Sequence, residues 1–409
     1  MTSDHQASLP VLIAGGGIGG FAAALALSKA GFRVRLFERA QEIKEIGAGI
    51  QIGPNAFHVF ERLGVTEAVR AKAALPQKLV MMDGISGEQV VSIPLDERFL
   101  ERFQHPYALI HRADLHRILL DACLGSERIE IVTNVKVNGF TDDGDSVVLR
   151  TSQGDVRGRA LIGADGLWST VRAQLVGDGA PRVSGHIAYR AVLPIDEVPP
   201  ELRSNTMTLW AGAKTHLVHY PLRGGELFNL VAVFHSDRYV EGWDAVGDAD
   251  ELHLRFRDAV PTVKALLSKI ETWRMWVLCD REPIREWSKG NVTLLGDAAH
   301  PMLQYMAQGA CMAMEDAVVL AEEMAATPAD QAASFLRYKE RRYLRTGKVQ
   351  MSARLYGEFY HARGVNRELR NQFLQSRSLE QTLDGMAWLY DPDAIRSTEL
   401  QNETLALAQ

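Results

Sequence analysis

Pro10-Val11-Leu12-Ile13-Ala14-Gly15-Gly16-Gly17-Ile18-Gly19-Gly20-Phe21 decides how the rest of the chain is read. Residues 10–14 are short and apolar, the composition of a buried parallel strand. Glycines at 15, 17 and 20 follow and spell G-x-G-x-x-G. Residues 21–30 are rich in Ala and Leu and predict a helix ended by Gly31; residues 33–37 predict a second strand closed by Glu38. Gly15 permits a tight turn, Gly17 has no Cβ to hold off a pyrophosphate, and Gly20 lets helix and strand pack closely. Free N–H groups and the positive end of the helix dipole face the phosphates. Glu38 can accept both hydroxyls of an adenosine ribose, and an acid rather than an arginine here disfavours a ribose 2′-phosphate. A glycine motif alone is common; the strand, helix, strand and acid around it make it a dinucleotide signature.

The 409 residues suffice for two domains or one elaborated one. With 46% hydrophobic and 23% charged residues the composition is ordinary for a globular protein. A net charge of −6 gives no reason to expect nucleic acid or an anionic membrane surface as a partner. Cys123, Cys279 and Cys311 are too few and too scattered for a disulfide framework or a zinc site. Residues 1–10 are polar without signal-peptide architecture, and the glycine break excludes a membrane span in the most apolar early stretch. The expectation is a soluble, cytoplasmic protein.

Further along, Gly47-Ala48-Gly49-Ile50-Gln51-Ile52-Gly53 is small enough to suggest backbone passing close to something large and flat, with a mobile surface loop as the alternative. Pro54 opens a helix to Leu63, stopped by Gly64. Residues 78–82 and 89–93 predict a strand pair, 107–110 a strand, and 112–120 a helix with Arg112 at its start. The alternative for Arg112 is a surface ion pair with Asp114. Strands follow at 129–132, 135–140 and 146–150, the last two joined by the turn Asp142-Asp143-Gly144-Asp145. A second small-residue strand, 160–164, runs into Asp165-Gly166, with Ser169 and Arg172 on an opening helix. This is a second ligand-facing strand end, or a turn and an N-cap. A third strand ends in Gly296-Asp297, followed by a loop at 302–309 and a helix at 310–324 whose N-terminus offers another positive end. Asp297 as a turn residue is the alternative.

Residues 183–234 are dominated by strand patterns, at 187–193, 207–210, 216–221 and 227–234. This predicts an inserted, mostly antiparallel sheet. In His216-Leu217-Val218-His219-Tyr220, alternation puts His216, Val218 and Tyr220 on one face and Leu217 and His219 on the other. The imidazole and the phenol are then roughly 13 Å apart at their Cα atoms, room for a small ring. A purely structural histidine is the alternative. Residues 249–267 predict two helices broken at Pro261. From about 330 the chain is helical and charged, with Lys339-Glu340-Arg341-Arg342 expected on a solvated face.

Three separated strand ends, Gly15-x-Gly17-x-x-Gly20 with Glu38, Asp165-Gly166 and Gly296-Asp297, resemble in order and spacing the FAD-dependent aromatic hydroxylases of the para-hydroxybenzoate hydroxylase type. The resemblance covers nearly the whole chain. Residues 216–226 and 295–317 look like those of the 3-hydroxybenzoate 6-hydroxylases. Salicylate 1-hydroxylases usually carry His-Gln or a similar small or polar pair where Leu303-Gln304-Tyr305 stands here.

The resemblance implies an α/β fold. A Rossmann-like, parallel-sheet FAD-binding domain would comprise residues 10–74, 107–182 and 281–330. An inserted, mostly antiparallel β-sheet substrate domain would comprise 75–106 and 183–280, with C-terminal helices over 331–409. It implies FAD as cofactor, and NADH as a transient cosubstrate because no second G-x-G-x-x-G is present. O2 and a small aromatic acid complete the reaction, and a homodimer through the C-terminal helices is left open. Toward FAD it assigns Gly15, Gly17, Gly20, Glu38, Arg39, Gln51, Arg112, Asp165, Asp297, Gly309 and Ala310. Among these, Arg112 serves the phosphate or ribityl region, Asp297 the ribityl chain or pyrophosphate, and Gly309 and Ala310 offer N–H groups to the pyrimidine edge. His216 is the expected base, assisted by Gln304; Tyr107 and Tyr220 orient the ring. His219 and His300 are expected to be structural, and Arg190 is a candidate for the substrate carboxylate.

The implied reaction is hydroxylation para to a phenol, giving gentisate. A phenol of pKa about 10 is roughly one part in a thousand ionised at pH 7, and lowering that pKa by about three units amounts to roughly 4 kcal/mol. A neutral histidine within hydrogen-bond reach is the natural base. The pocket must also be dry; Met302, Leu303, Met306 and Met312 would line it or belong to the core. The alternatives are decarboxylating salicylate 1-hydroxylation, hydroxylation of a heteroaromatic acid such as 6-hydroxynicotinate, and a non-catalytic prenyl-binding chaperone of the same fold. A flavin halogenase is disfavoured, since Trp273-Arg-Met-Trp276 lacks the Trp-x-Trp-x-Ile-Pro spacing.

Overall fold

The computed structural model describes residues 9–43, 48–236, 245–270 and 272–393. Its first sheet grows outward from Val11–Ala14, every residue of which is buried. This strand pairs in parallel with Val34–Phe37 on one side and Ala160–Gly163 on the other. Ile129–Val132 and Val292–Leu294 extend the sheet in parallel, and Ser288–Lys289 adds a short antiparallel edge. The ends of Val11–Ala14, Ala160–Gly163 and Val292–Leu294 therefore emerge side by side, where open parallel sheets hold their ligands. The helix Ile18–Lys29 is buried over most of its length. It packs against both Arg112–Leu124 and Gly309–Ala326, so it is apolar on all sides.

The second sheet has eight strands, in the order Ala245–Val246, Arg274–Asp280, Arg182–Pro194, Leu227–His235, Thr215–Leu222, Thr206–Gly212, Lys78–Asp83 and Gln89–Pro94. All neighbours are antiparallel except Thr206–Gly212 with Lys78–Asp83. The expected alternation is present. Val218, Tyr220, Val231 and Val233 enter one hydrophobic cluster, and Leu217, Leu230, Ala232 and Phe234 enter another on the opposite face. Leu303, Tyr305 and Met312 join the first cluster, with Val349, Ala353 and Tyr390 of the C-terminal helices. The sequence patterns did not show the strand Gly154–Gly158, which completes a separate three-stranded sheet.

One expectation is corrected. Lys339 and Arg342 do not lie on a solvated face; they are 4% and 1% exposed. The helix Gln331–Tyr360 carries a polar core instead. Arg342 donates to Asp316 at 2.6 Å and Glu315 at 2.7 Å, and Arg345 donates to both oxygens of Glu315. Asp316 also accepts from the Gly296 N–H and bonds His300 at 2.6 Å. These buried ions anchor the loop after Val292–Leu294 to the C-terminal helix, which charge-run reasoning does not anticipate because it ignores partners.

Burial alone would raise the Glu315 carboxyl, but Arg345 and Arg342 outweigh it and hold the group down at about 2. A carboxyl whose folded pKa is depressed stabilises the fold fully above its unfolded pKa and loses that contribution as the pH falls through the folded value. The difference in urea-melt stability between wild type and Glu315→Gln, which isolates this carboxyl, is expected to be constant above about pH 5 and to decline toward pH 2. Arg342→Met, which removes the guanidinium shared by two buried carboxylates, is expected to cost on the order of 3 kcal/mol in the same melts.

Candidate active site

The glycine turn divides into closed and open positions. A Cβ on Gly15 would stand 2.3 Å from the Ala164 oxygen, and one on Gly20 would stand 2.0 Å from the Gly15 oxygen. A Cβ on Gly17 would meet nothing within 4 Å. Gly17 caps Ile18–Lys29 without a side-chain hydrogen bond, and Gln308 does the same for Gly309–Ala326; neither helix has an acid in its first turn. Both N-termini thus present open backbone donors to an anion, and the space before Gly17 suits a pyrophosphate.

Other expected FAD residues converge on this edge. Glu38 lies across the turn, accepting from the N–H groups of Gly16 and Ala40 at 2.8 Å each; Arg39 beside it is exposed. Arg112 is the first residue of its helix, while Asp114 pairs with Arg223 at 2.8 Å. Asp297 is open to solvent yet surrounded by protein, as on the floor of a cleft. Burial raises its pKa, opposed by His300 and Arg112. Its Oδ1 is 3.8 Å from where a Gly309 Cβ would stand, with Ala310 next in the helix. Asp165 is differently engaged. It accepts from the Ser169 hydroxyl and from the N–H groups of Thr170 and Val171, so its side chain is engaged within the turn, while Ser169 is the N-cap, accepting from the Arg172 N–H at 2.8 Å. The open part of this turn is Gly166 (φ +76°). Fully buried Arg172 donates to the carbonyls of Ala298 and Ala299, tying the second strand end to the third.

Gly47 lies outside the described residues. At Gly49 the large flat neighbour is Tyr220, whose ring would be 2.5 Å from a Cβ there. The Gly49 N–H donates to Asn229 Oδ1 at 2.7 Å. Gln51, two residues on, accepts from the Tyr107 hydroxyl.

The face of the second sheet that carries Val218 and Tyr220 also carries the polar groups. Arg190 donates to Gln304 Oε1 and stacks over Trp276 at 5.4 Å, beside an open cavity of about 600 Å³ that Ala48 also lines. Gln304 is thus held by Arg190. Burial pulls the Arg190 guanidinium down to about 10. Arg190 Nε and Asn229 Nδ2 are buried donors with no acceptor among the described residues. Burial raises the Tyr107 and Tyr220 hydroxyls, so both act as neutral donors. Leu303 and Met312 are core, while Met302 and Met306 are partly buried against it.

His216 is buried, 2.8 Å through Nδ1 from His361 Nε2, with the rings of Tyr305 and Tyr360 beside it. Burial holds its pKa down at about 3, so it is neutral at physiological pH. His219, on the opposite face, accepts from Trp210 Nε1 at 3.0 Å, and His300 is bound to Asp316. Both fit the structural roles expected of them. Sequence reasoning missed His186, His235, His361 and Asn229. The alternation of Leu227–His235 would have put Asn229 and His235 on one face; a bulge between Val183 and Ile187 hides the register of His186. No periodicity points to His361, which caps a helix.

Gly17→Val has φ −80° and open space to occupy, so it is expected to fold but to purify with little flavin nucleotide, read as flavin absorbance per protein. Gly20→Val, which meets backbone, is expected to fail to fold.

Residues 8–353 match the family model described as FAD binding domain. The chain is 48% identical over 390 residues to a 3-hydroxybenzoate 6-hydroxylase of Polaromonas naphthalenivorans (strain CJ2), covering 95% of this chain and 97% of that one. It is 44% identical to 3-hydroxybenzoate 6-hydroxylase 1 of Aquipseudomonas alcaligenes, covering 94% and 98%. The solved structure of Klebsiella pneumoniae HpxO complexed with FAD and uric acid superposes with a TM-score of 0.83 at 27% identity, covering 95% of this chain and 98% of that chain. With the cradle, the two sheets and these relatives in agreement, the chain belongs to the FAD-dependent aromatic hydroxylases.

Proposed function

We propose that this FAD-dependent monooxygenase hydroxylates 3-hydroxybenzoate para to its phenol, giving gentisate, with NADH as electron donor and O2 as cosubstrate. The observation that carries the reading is the pair of buried donors without acceptors among the described residues, Arg190 Nε and Asn229 Nδ2, on the sheet face that also holds His216. A carboxylate supplies the acceptors they lack, and a neutral imidazole suits the phenol at the other end of the ring. Two relatives above 40% identity carry the corresponding name.

Bound FAD, once reduced by NADH, supplies an electrophilic oxygen drawn from O2. The protein's part is to bind, orient and move a proton. Gly15, Gly17, Gly20 and the helix they open hold the pyrophosphate, and Glu38 the adenosine ribose with Arg39 beside it. Arg112, Gln51, Asp165 with Gly166, Asp297, Gly309 and Ala310 line the remainder of the cofactor. This assigns the first sheet to FAD and the second to the ring. Arg190 and Asn229 take the carboxylate, and Arg190 holds Gln304 over the substrate. Tyr220 donates to the ring substituents, while Tyr107 keeps Gln51 in place. His216 removes the phenolic proton through Nε2, because its Nδ1 is engaged by His361. Met302 and Met306 keep water out.

Incubating the FAD-loaded protein with 3-hydroxybenzoate, NADH and air tests the reading. Gentisate with little peroxide is expected; NADH consumption that yields only peroxide, or catechol formed from salicylate in preference, overturns the substrate. His216→Ala is expected to lower kcat by roughly 10²–10⁴ at pH 7. Part of that loss should return as the pH approaches the phenol's own pKa of about 10. Arg190→Ala should act mainly on KM, by roughly 10- to 100-fold, as expected for losing a hydrogen bond to a charged group worth about 1.5–3 kcal/mol.

A further inference from the structure

His216 is one end of a hydrogen-bonded file of three histidines. Its Nδ1 lies 2.8 Å from His361 Nε2, and His361 Nδ1 lies 3.0 Å from His235 Nε2. Each ring is entered at Nε2 and left at Nδ1, so the same relay geometry repeats along the file. Backbone bonds fix the file. The Lys214 N–H donates to the His361 carbonyl, and the His235 N–H donates to the Lys214 carbonyl, 3.0 and 3.2 Å. The far end, half-buried His235, lines a cavity of about 540 Å³ with Lys214, Glu358 and Arg363, and buried His361 stands at its wall; this cavity is apart from the one beside Arg190.

We propose that His216, His361 and His235 form a proton wire that carries the phenolic proton from the substrate to the open cavity beside His235. The inference rests on His216 being the base. A buried imidazole that cannot hold a net charge can accept a proton at one nitrogen only if it releases one at the other. His216 is such a group, and burial with His216, His186 and His235 around it keeps His361 well below the ordinary histidine range. His235 is pulled down by burial and by Lys214, Arg255 and Arg363, and drawn up by Glu358. His186 faces the file but has its Nδ1 bound to the Tyr305 hydroxyl, which places it beside the path. In the transfer the O–H bond of the phenol breaks and Nε2–H of His216 forms. The Nδ1 proton of His216 passes to His361 Nε2, that of His361 Nδ1 to His235 Nε2, and that of His235 Nδ1 to water. One proton enters, one leaves, and no imidazolium accumulates. The reverse sequence resets the tautomers when the product takes its proton back.

Glutamine at 361 or 235 can hydrogen-bond but cannot relay. His361→Gln and His235→Gln, tested in the FAD-loaded full chain with 3-hydroxybenzoate, are expected to lower kcat at pH 7 by roughly 10²-fold, the low end of acid–base effects. KM and flavin content should be unchanged, and the solvent deuterium isotope effect on turnover should change. Free imidazole should restore part of the rate to His235→Ala, because the cavity admits it. A merely structural role would move neither the isotope effect nor the rescue. Wild-type rates and isotope effects in both glutamine variants, with His216→Ala inactive, would overturn the wire and leave the base standing. An active His216→Ala would remove base and wire together.

Discussion

Everything in this site depends on one contact for which only glycine is small enough. Gly49 runs against Tyr220 with no space for a Cβ and hands its N–H to Asn229. That contact presses the antiparallel strand pair of Gly49–Ile52 and Ala108–His111 onto the face of the second sheet. The second of these strands, Ala108–His111, leads directly into Arg112, the first residue of the helix that packs on Ile18–Lys29. The same close approach therefore sets the distance between this sheet face and the edge where three strand ends meet. A side chain at 49 would push the two apart, and a shift of about 1 Å is enough to cost a positioned reaction on the order of 10²-fold.

Electrostatics divides along the same line. Along the first sheet the donors are backbone N–H groups at helix ends without side-chain caps, suited to a large anion. On the face of the second sheet proposed for the ring the polar groups are few, buried and specific: a guanidinium and an amide as donors, and a neutral imidazole as acceptor. The buried charges beneath, Glu315 and Asp316 with Arg342 and Arg345, belong to neither side. They hold Gly296 and His300, and so fix the loop that carries Asp297 and Gln304.

The sequence was most informative where local chemistry repeats a known physical solution. The glycine turn with Glu38, the helix opened by Pro54 and closed by Gly64, and the alternation that sets His216 against His219 are all local and all present in the structure. What stayed hidden was created by tertiary pairing. The Lys339–Arg342 run reads as solvated until Glu286, Glu315 and Asp316 come to meet it. Asp165 reads equally as ligand-facing or as a turn residue, and Ser169, Thr170 and Val171 occupy its carboxylate within the turn, with Ser169 as the N-cap. The histidine file is drawn from two strands and a helix end separated by up to 145 residues, and no spacing rule joins them.

The central claim is that one sheet face reads the substrate from both ends, with Arg190 and Asn229 on the carboxylate and His216 on the phenol. The most direct measurement is a crystal structure with FAD and 3-hydroxybenzoate bound. The account predicts the carboxylate on Arg190 and Asn229 and the phenol oxygen within hydrogen-bond reach of His216 Nε2. A ring bound the other way round, or with its phenol turned away from His216, would contradict it.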